Sequence, residues 1–368
     1  MILCLAFYEL DYLDFIPPRA TLHEYVEIAK KKLPAANVST VNGILRTYLR
    51  IGKSLKPEKK FKYADTQLSI KYSYPEWLIK RWLAQWDRQF VEEMCRAMNE
   101  RPVFDLRINK RKIDSTAFEE MLFRAQIAFT VSPYISDVYR ITDIQKLQQA
   151  EILAGGFCSV QDESGLLAIR LLLANERETA HTVLDFCAAP GSKFTAFREQ
   201  HAHLKVTGLE LKFHRLLKIR ENCLRLDLPD SGLVAGDARC APFKTDRFDL
   251  ILVDAPCSGL GTIQKHPDIK WRRSLDEILD FQRLQSEILS EAGRLLKPGG
   301  TMVYCTCTMD PSENEEVIKQ FLENHQNKYR LVPPPAQLSP FISDSSFLRT
   351  FPHTHGMEGS FAARLKKF

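Results

Sequence analysis

The chain has 368 residues, of which 45% are hydrophobic and 26% are charged. This length predicts two or three domains, each with its own core. The composition excludes a disordered protein, and no apolar stretch reaches the roughly 20 residues needed to span a bilayer. The apolar start lacks a basic region and soon meets Glu9 and Asp11, which is unlike a signal peptide, so the sequence predicts a cytoplasmic protein without a membrane partner.

The net charge of +5 is unevenly placed along the chain. Residues 1–112 hold 21 Lys and Arg against 13 Asp and Glu, whereas the rest of the chain holds 30 against 33. There are two basic runs, Lys53, Lys56, Lys59, Lys60 and Lys62, and then Arg107, Lys110, Arg111 and Lys112. A solvated surface explains such runs, but the asymmetry also suits contact with the phosphate backbone of a nucleic acid.

The cysteines predict free thiols. There are nine, an odd number, scattered from Cys4 to Cys307 in a chain without a secretion signal. Only Cys305 and Cys307 lie close together in sequence, and a C-x-C pair without a second pair of ligands is a weak zinc signal. We therefore expect neither a disulfide framework nor a bound metal.

Two segments in the first third of the chain, 20–32 and 75–98, have apolar residues at helical spacing. Ser73 and Pro75 stand where an N-cap and a first-turn proline would begin the second helix. An aromatic stripe on that helix could stack on bases, but a helix-packing core is the commoner use of such a stripe. Its members are Trp82, Trp86 and Phe90.

The remainder predicts an α/β fold. Short segments over 100–155 indicate a small α/β module, and after residue 156 apolar runs alternate with amphipathic helices, which predicts a Rossmann-like, doubly wound sheet with parallel strands at its centre. We expect three domains: helical 1–99, the module 100–155 and the Rossmann-like 156–368. The buried strands would be Thr182–Cys187, Lys205–Leu211, Gly232–Ala235, Phe248–Asp254 and Thr301–Thr306.

Polar groups follow the first three of these strands, where ligands of such sheets gather. The first strand leads into DFCAAPGSK (185–193), a loop of small residues that lets a ligand approach the backbone. It lacks the second glycine that a pyrophosphate requires, which favours a nucleoside cofactor without phosphates. Glu210 is placed to accept hydrogen bonds from ribose hydroxyls and Asp237 from an adenine amino group, so the three strand ends predict an adenosine site.

The fourth and fifth strands each deliver a cysteine to the same edge, Cys257 in DAPCSG and Cys307 in YCTCT. Each stands just past a strand and beside a loop, where a thiolate could be exposed and stabilised by the nearby Lys193. A buried, inert thiol is the usual role of any one cysteine, and it suits the others better. These are Cys187, Cys158, Cys223 and Cys240.

Five motifs together resemble the NOL1/NOP2/Sun family of RNA cytosine-5 methyltransferases, with a match from about Leu106 to the C-terminus. They are the two cysteine motifs, the DFCAAPGSK loop, HPDIKW (266–271) and Glu313-Asn314-Glu315. Upstream, LAFYEL (5–10), VNGILR (41–46) and PEWLI (75–79) are similar to the NusB-like domain of the family's bacterial RsmB (Fmu) branch, which methylates small-subunit ribosomal RNA.

This resemblance implies a class I methyltransferase that uses S-adenosylmethionine and an RNA substrate. Carbon 5 of cytosine is a poor nucleophile, so a thiolate must first add at carbon 6. In the family this nucleophile is the second cysteine, here Cys307, and Cys257 assists release. Asp254 would hold the cytosine edge and Lys193 would complete the pocket. The cofactor would contact Cys187, Ala188, Ala189, Pro190, Gly191, Lys193, Glu210, Asp237 and Asp254.

The sequence departs from the family pattern in four places. Glu210 stands where Asp is usual, Cys305 replaces a common Ser, Ser360 replaces a Phe, and the NusB-like part lacks its first helices. The last departure keeps transfer RNA as an alternative substrate and a catalytically silent RNA-binding protein as a second alternative. DNA cytosine methyltransferases use the Pro-Cys thiol and lack the second motif, so Cys307 favours RNA over DNA.

Two further patterns have a structural interpretation. Ser312 and Glu315 form an S-x-x-E capping box, so Glu313-Asn314-Glu315 is explained equally well by a helix start and by a site. For His353 and His355 we expect structural or solvent-exposed roles rather than catalytic ones. Nothing in the sequence requires more than a monomer.

Overall fold

The computed structural model describes residues 1–51, 63–176, 180–343 and 346–368, so the first basic run, at 53–62, lies outside the described residues. By its contacts the chain divides into two compact units, Met1–Tyr63 and Ala64–Phe368. None of the described helices combines the length and the apolar composition that crossing a bilayer requires.

The first unit contains three helices, α1 (Ile2–Tyr12), α2 (Pro18–Lys32) and α3 (Ala35–Ile51). The helix predicted over 20–32 is confirmed, with two more residues at its start. Small and branched side chains from all three helices form a core, and the Thr21 hydroxyl donates a hydrogen bond of 2.7 Å to Glu9. The fully buried members of this core are Ala6, Ala29, Val41 and Leu45.

The second unit begins with α4 (Ala64–Tyr72), α5 (Glu76–Leu83) and α6 (Arg88–Met98). The prediction of one helix over 75–98 is wrong, because the chain turns at 84–87 and Asp87 caps a new helix by accepting the Phe90 N–H at 2.9 Å. The N-cap of α5 is Pro75 rather than Ser73. These helices belong to the second compact unit. The domain boundary at residue 99 stays a prediction.

The aromatic stripe is a packing core. Trp82 is 1% exposed and lies in a cluster that joins α4–α6 to Leu260, Ile263 and Met309 of the loops around the large sheet. Trp86 and Phe90 stack at 5.3 Å between ring centroids. The helix-packing interpretation of the stripe is therefore confirmed, and a base-stacking role is not needed to explain it.

The small α/β module predicted next in the chain is confirmed. Its antiparallel sheet has the strand order β2-β3-β1-β4 and carries two helices. The elements in chain order are β1 (Phe104–Ile108), α7 (Ser115–Arg124), β2 (Phe129–Val131), β3 (Val138–Ile141), α8 (Ile144–Gln149) and β4 (Cys158–Val160).

The second basic run lies at the end of β1, and its first member is buried while the other three are exposed. Arg107 is fully buried and pairs with Glu199. The prediction that this side chain could contact a phosphate backbone is therefore wrong. Lys110 pairs with Asp137 at 2.6 Å, and the Lys112 ammonium donates to two backbone carbonyls. Charged and apolar residues alternate along β1, a pattern that predicts a strand with one exposed face, so the sequence does not predict the burial of Arg107.

The large sheet has the order β10-β12-β9-β8-β5-β6-β7, and β5 to β9 are parallel as predicted. Its strands are β5 (Thr182–Phe186), β6 (Lys205–Glu210), β7 (Leu233–Ala235), β8 (Phe248–Asp254), β9 (Leu296–Thr306), β10 (Tyr329–Leu331), β11 (Leu348–Thr350) and β12 (Ser360–Lys367). The helices are α9 (Glu163–Leu173), α10 (Ser192–Gln200), α11 (Phe213–Arg225), α12 (Ile269–Arg272), α13 (Leu275–Leu295), α14 (Glu315–Asn324) and α15 (Pro352–His355).

Replacement of Trp82 by Ala tests the packing of α4–α6 within the second unit. Removing a fully buried indole leaves a cavity, so Trp82→Ala should lower the free energy of unfolding by about 3–5 kcal/mol, read as a lower midpoint of thermal unfolding. Phe123→Ala removes an aromatic ring that is 80% exposed and should leave the midpoint nearly unchanged. Equal midpoints for the two variants would contradict this packing.

Candidate active site

The parallel pairing of β8 with β9 brings the two cysteine motifs together. Asp254, the last residue of β8, pairs with Cys305 of β9, and the loops that follow carry Cys257 and Cys307. The two Sγ atoms of Cys257 and Cys307 lie 3.2 Å apart. The prediction that both thiols reach one edge of the sheet is therefore confirmed in geometry.

A partly exposed ion pair lies beside the thiols. Lys193, in the first turn of α10, donates to Asp254 Oδ2 at 2.7 Å, and the Cys305 thiol lies 3.7 Å from Asp254 Oδ1. Burial alone would lower the pKa of Lys193, but the Asp254 carboxylate outweighs it and raises that pKa. Lys193 is therefore a permanent cation whose charge is directed at Asp254.

The expectation of a Cys307 thiolate stabilised by Lys193 is wrong for this structure. The hydrogen bond with Cys257, followed by burial, raises the pKa of Cys307 well above its usual range. The Lys193 ammonium is held by Asp254 instead. The direction of this shift favours the protonated thiol of Cys307 over its thiolate.

Glu313 and Asn314 connect the two cysteine loops. Glu313 Oε2 accepts the Ser258 N–H at 2.8 Å, next to Cys257, and the Gln285 amide at 3.0 Å. Asn314 accepts from the Thr306 hydroxyl at 2.6 Å and donates to the Thr308 carbonyl at 3.0 Å, on either side of Cys307. Both side chains are fully buried.

The capping-box interpretation of this segment is wrong. Helix α14 begins at Glu315 with Asn314 as its N-cap and no side-chain cap, while Ser312 lies in the preceding turn and accepts from Arg81 at 2.7 Å. Arg81 of α5 also holds Asp310, three residues after Cys307. Glu313 and Asn314 therefore act as a brace for the site.

A cavity of about 480 Å³ opens beside Cys307. Its walls come from the end of β4, the start of α9, α10, β8 and β9, and the residues before β12. The polar side chains of its wall include Asp162, Lys193, Asp254, Lys265, Cys307 and Glu358. Such a convergence of charged groups on one concave space marks it as the reacting end of the site.

The DFCAAPGSK loop crosses the ends of β5 and β6. Gly191 has φ +100°, and a Cβ there would lie 2.9 Å from the Ile219 side chain, so this position requires glycine. Glu210 is buried and braces the loop, because its carboxylate accepts the N–H groups of Ala189 at 3.3 Å and Lys212 at 3.0 Å. Asp237 is occupied by the Arg239 guanidinium, with a shortest contact of 2.7 Å.

Sequence reasoning missed Asp185 as a functional side chain. It is fully buried at the end of β5, and neither carboxylate oxygen has a hydrogen-bond partner among the described residues. Burial, with the nearby Asp254, raises its pKa to about 7. An unpaired buried carboxylate is costly, so Asp185 suits a ligand with a cationic group. The signal was present in sequence only as an acid in an apolar strand.

Other singled-out residues have local roles. Lys270 of HPDIKW is buried, with its ammonium 4.3 Å from the centre of the Tyr74 ring, whereas the neighbouring Trp271 is 62% exposed. His355 accepts the Phe351 N–H at 2.9 Å, in agreement with a structural role. All nine cysteines lie in described residues and are free, and Cys240 is exposed rather than buried as expected.

Comparison with known proteins decides the family. The model of the 16S rRNA methyltransferase RsmB/F family matches residues 170–366. The chain belongs to the RsmB/F family. A model of the ferredoxin-like domain of RsmF/B-like methyltransferases matches residues 74–148, and the NusB family model matches residues 1–50.

Curated relatives agree with this membership. The chain is 35% identical over 376 residues to the probable ribosomal RNA small subunit methyltransferase B of Bacillus subtilis (strain 168), covering all of this chain and 82% of the relative. It is 35% identical to the ribosomal RNA small subunit methyltransferase B of Klebsiella pneumoniae (strain 342), covering 83% of this chain and 69% of the relative.

Solved structures agree on the fold. The crystal structure of PH0851 superposes with a TM-score of 0.78 at 28% identity and covers 95% of this chain and 77% of that one. The structure of NSun6 from Pyrococcus horikoshii with SFG has a TM-score of 0.65 at 19% identity and covers 83% of this RsmB/F chain and 98% of that one. The second likeness concerns the fold alone.

The brace can be tested by bridging the two thiols. A bifunctional thiol reagent that spans a few ångströms should link Cys257 to Cys307 in the wild type, as mass spectrometry of the digested protein would detect. Glu313→Ala leaves the Ser258 N–H buried without an acceptor and should lower the bridging rate severalfold. Glu316→Ala removes an exposed neighbour and should not. An unchanged rate in Glu313→Ala would contradict the role of the brace.

Proposed function

We propose that this RsmB/F chain transfers a methyl group from S-adenosylmethionine to carbon 5 of a cytosine in 16S ribosomal RNA through a covalent adduct of Cys307. The observation that carries the proposal is the pair of thiols 3.2 Å apart beside the Lys193–Asp254 ion pair. Family membership supports an RNA methyltransferase, and the relatives named above support the small-subunit RNA as substrate.

The residues around the DFCAAPGSK loop fit S-adenosylmethionine. Asp185 offers a cationic amino group a buried carboxylate that has no hydrogen-bond partner in the described part of the chain, and the loop from Cys187 to Gly191 lets a ligand reach the backbone. Glu210 and Asp237 supply acceptors for an adenosine. When bound, the cofactor supplies an electrophilic methyl group. NSun6, which has the same fold, was solved with SFG, an analogue of this cofactor.

Cys307 acts first in the proposed mechanism. Once deprotonated, its sulfur adds to carbon 6 of the cytosine, and electron density moves toward the ring nitrogen N3 and carbon 5. The Asp254 carboxylate accepts a hydrogen bond from the exocyclic amine beside N3. The Lys193 ammonium lies 2.7 Å from Asp254, so it stabilises the negative charge that develops on the ring in a low-dielectric cavity.

Cys257 acts at the end of the reaction. When the bond from carbon 6 to sulfur breaks, its electron pair returns to the Cys307 sulfur as a thiolate. Cys257 lies 3.2 Å from that sulfur, so its S–H donates a hydrogen bond to the leaving thiolate. Loss of this donor slows collapse of the adduct more than its formation.

Two cysteine variants test this division of labour. Cys307→Ala should lower methyl transfer to RNA by more than about 1,000-fold, because no nucleophile remains. Cys257→Ala should accumulate a protein–RNA adduct that survives denaturing electrophoresis. Cys4→Ser, which changes an exposed thiol of α1, is the control and should do neither. Full activity of Cys307→Ala would refute the assigned nucleophile.

Bisulfite sequencing tests the substrate. Total RNA from cells with and without the protein should differ at one cytosine of 16S ribosomal RNA that resists conversion only when the protein is present. A lost site in transfer RNA would instead support the alternative substrate. If no site changes while the purified chain still binds RNA, the catalytically silent alternative is supported.

A further inference from the structure

A cluster of buried charges adjoins the reacting end of the cavity. The Lys265 ammonium lies 2.9 Å from Asp162 Oδ2 and 2.9 Å from Glu358 Oε1. Behind this pair, Arg140 holds Glu163 and lies 3.5 Å from Asp105. We call these six residues the carboxylate cluster: Asp105, Asp162, Glu163, Glu358, Lys265 and Arg140.

The carboxylate cluster has four acids and two cations in contact. Burial and the closeness of the acids to one another disfavour the charged forms of Glu358 and Asp105. Burial, with Asp162 beside it, raises the pKa of Glu358 to about 7, while Lys265 opposes this rise. Burial raises the pKa of Asp105 to about 8.

Glu358 is held close to Cys307 through the backbone. The Gly261 N–H donates to the Cys307 carbonyl at 2.9 Å, and the Gly359 N–H donates to the Gly261 carbonyl at 3.0 Å. A Cβ on Gly261 would lie 1.7 Å from the Gly359 carbonyl oxygen, so only glycine permits this approach. Two backbone hydrogen bonds therefore link the segment that carries Glu358 to the backbone of Cys307, the proposed nucleophile.

Asp162 and Glu358 are the two acids of the cluster that line the cavity. Only one of them has a carboxylate oxygen without a hydrogen-bond partner among the described residues. Asp162 Oδ1 accepts the Ser164 N–H at 3.0 Å, and its Oδ2 accepts from Lys265 and from the Glu358 N–H. Glu358 uses Oε1 for Lys265, and its Oε2 has no partner among the described residues. Glu358 is thus the available proton acceptor.

We propose that Glu358 is the base that removes the proton from carbon 5 after methyl transfer, a role that rests on the proposed function. The bond from carbon 5 to hydrogen breaks, and the proton goes to Glu358. The released electron pair forms the double bond between carbons 5 and 6 as the bond from carbon 6 to sulfur breaks, and the electrons of that bond return to Cys307. Lys265 is a positioning residue that orients the carboxylate.

The test separates loss of the C5 proton from methyl transfer. RNA carrying tritium at cytosine carbon 5 is mixed with excess enzyme and methyl-labelled S-adenosylmethionine in a single turnover. In Glu358→Gln, methyl incorporation should stay within a fewfold of wild type, while tritium release falls about 100-fold or more, the usual contribution of a general base. Methyl label should accumulate in a protein–RNA adduct that survives denaturant.

Three further variants guard against a merely structural effect. Glu163→Gln removes a buried charge of the same cluster that does not line the cavity, and its ratio of tritium release to methyl transfer should equal that of wild type. Glu358→Asp keeps a carboxylate and should restore much of the tritium release. Lys265→Met removes the cation that opposes the rise of the Glu358 pKa, so tritium release should need a higher pH than in wild type.

Charged groups that face Glu358 are Asp162 and Lys265, with Lys193 and Cys307 across the cavity. In wild type, the ratio of tritium release to methyl transfer should increase with pH through about 7, and this dependence of the ratio should be absent in Glu358→Gln. Tritium release that keeps pace with methyl transfer in Glu358→Gln would overturn the proposal, as would an equal change of the ratio in Glu163→Gln. Wild type that releases no tritium would instead refute cytosine-5 methylation itself.

Discussion

The parallel pairing of β8 with β9 is the constraint on which the site depends. Asp254 and Cys305 are partners across that pair, so the loops that follow leave the sheet at the same height. Each loop needs only two or three residues to bring its thiol over the edge. The buried side chains of Glu313 and Asn314 then fix both loops to the start of α14. Without that register the two sulfurs could not meet at 3.2 Å.

Electrostatics divides the site into two sides around one cation. Lys193 lies between two acids, the partly exposed Asp254, which it contacts, and the buried Asp185, which is close enough to affect its pKa. Because both acids lie close to it, a single positive charge acts on both. On the cofactor side, Asp185 is left short of positive charge and suits a cationic ligand. On the substrate side, the Lys193–Asp254 pair is neutral overall and can hold the polar edge of an uncharged base.

Much of this arrangement is predictable from the sequence. Buried parallel strands are visible as apolar runs, and parallel topology brings their ends to one edge, so the amino-acid pattern alone places Asp254, Cys257 and Cys307 together. The break between α5 and α6 is not predictable, because the apolar period continues across 84–87 without Gly or Pro. Arg107 resembles a surface cation in sequence because its partner, Glu199, lies 92 residues away along the chain.

The carboxylate cluster is invisible in the sequence for the same reason. Its members come from β1, β3, the start of α9, the loop after β8 and the residues before β12, and no local pattern relates them. The cluster also shows that the small α/β module contributes charged residues next to the cavity. Phe104 and Val160 line the cavity, and Asp105 and Arg140 lie behind its wall, in contact with each other and with Glu163. The module and the Rossmann-like sheet thus line one cavity, so in the proposed mechanism a base bound there would contact residues of both.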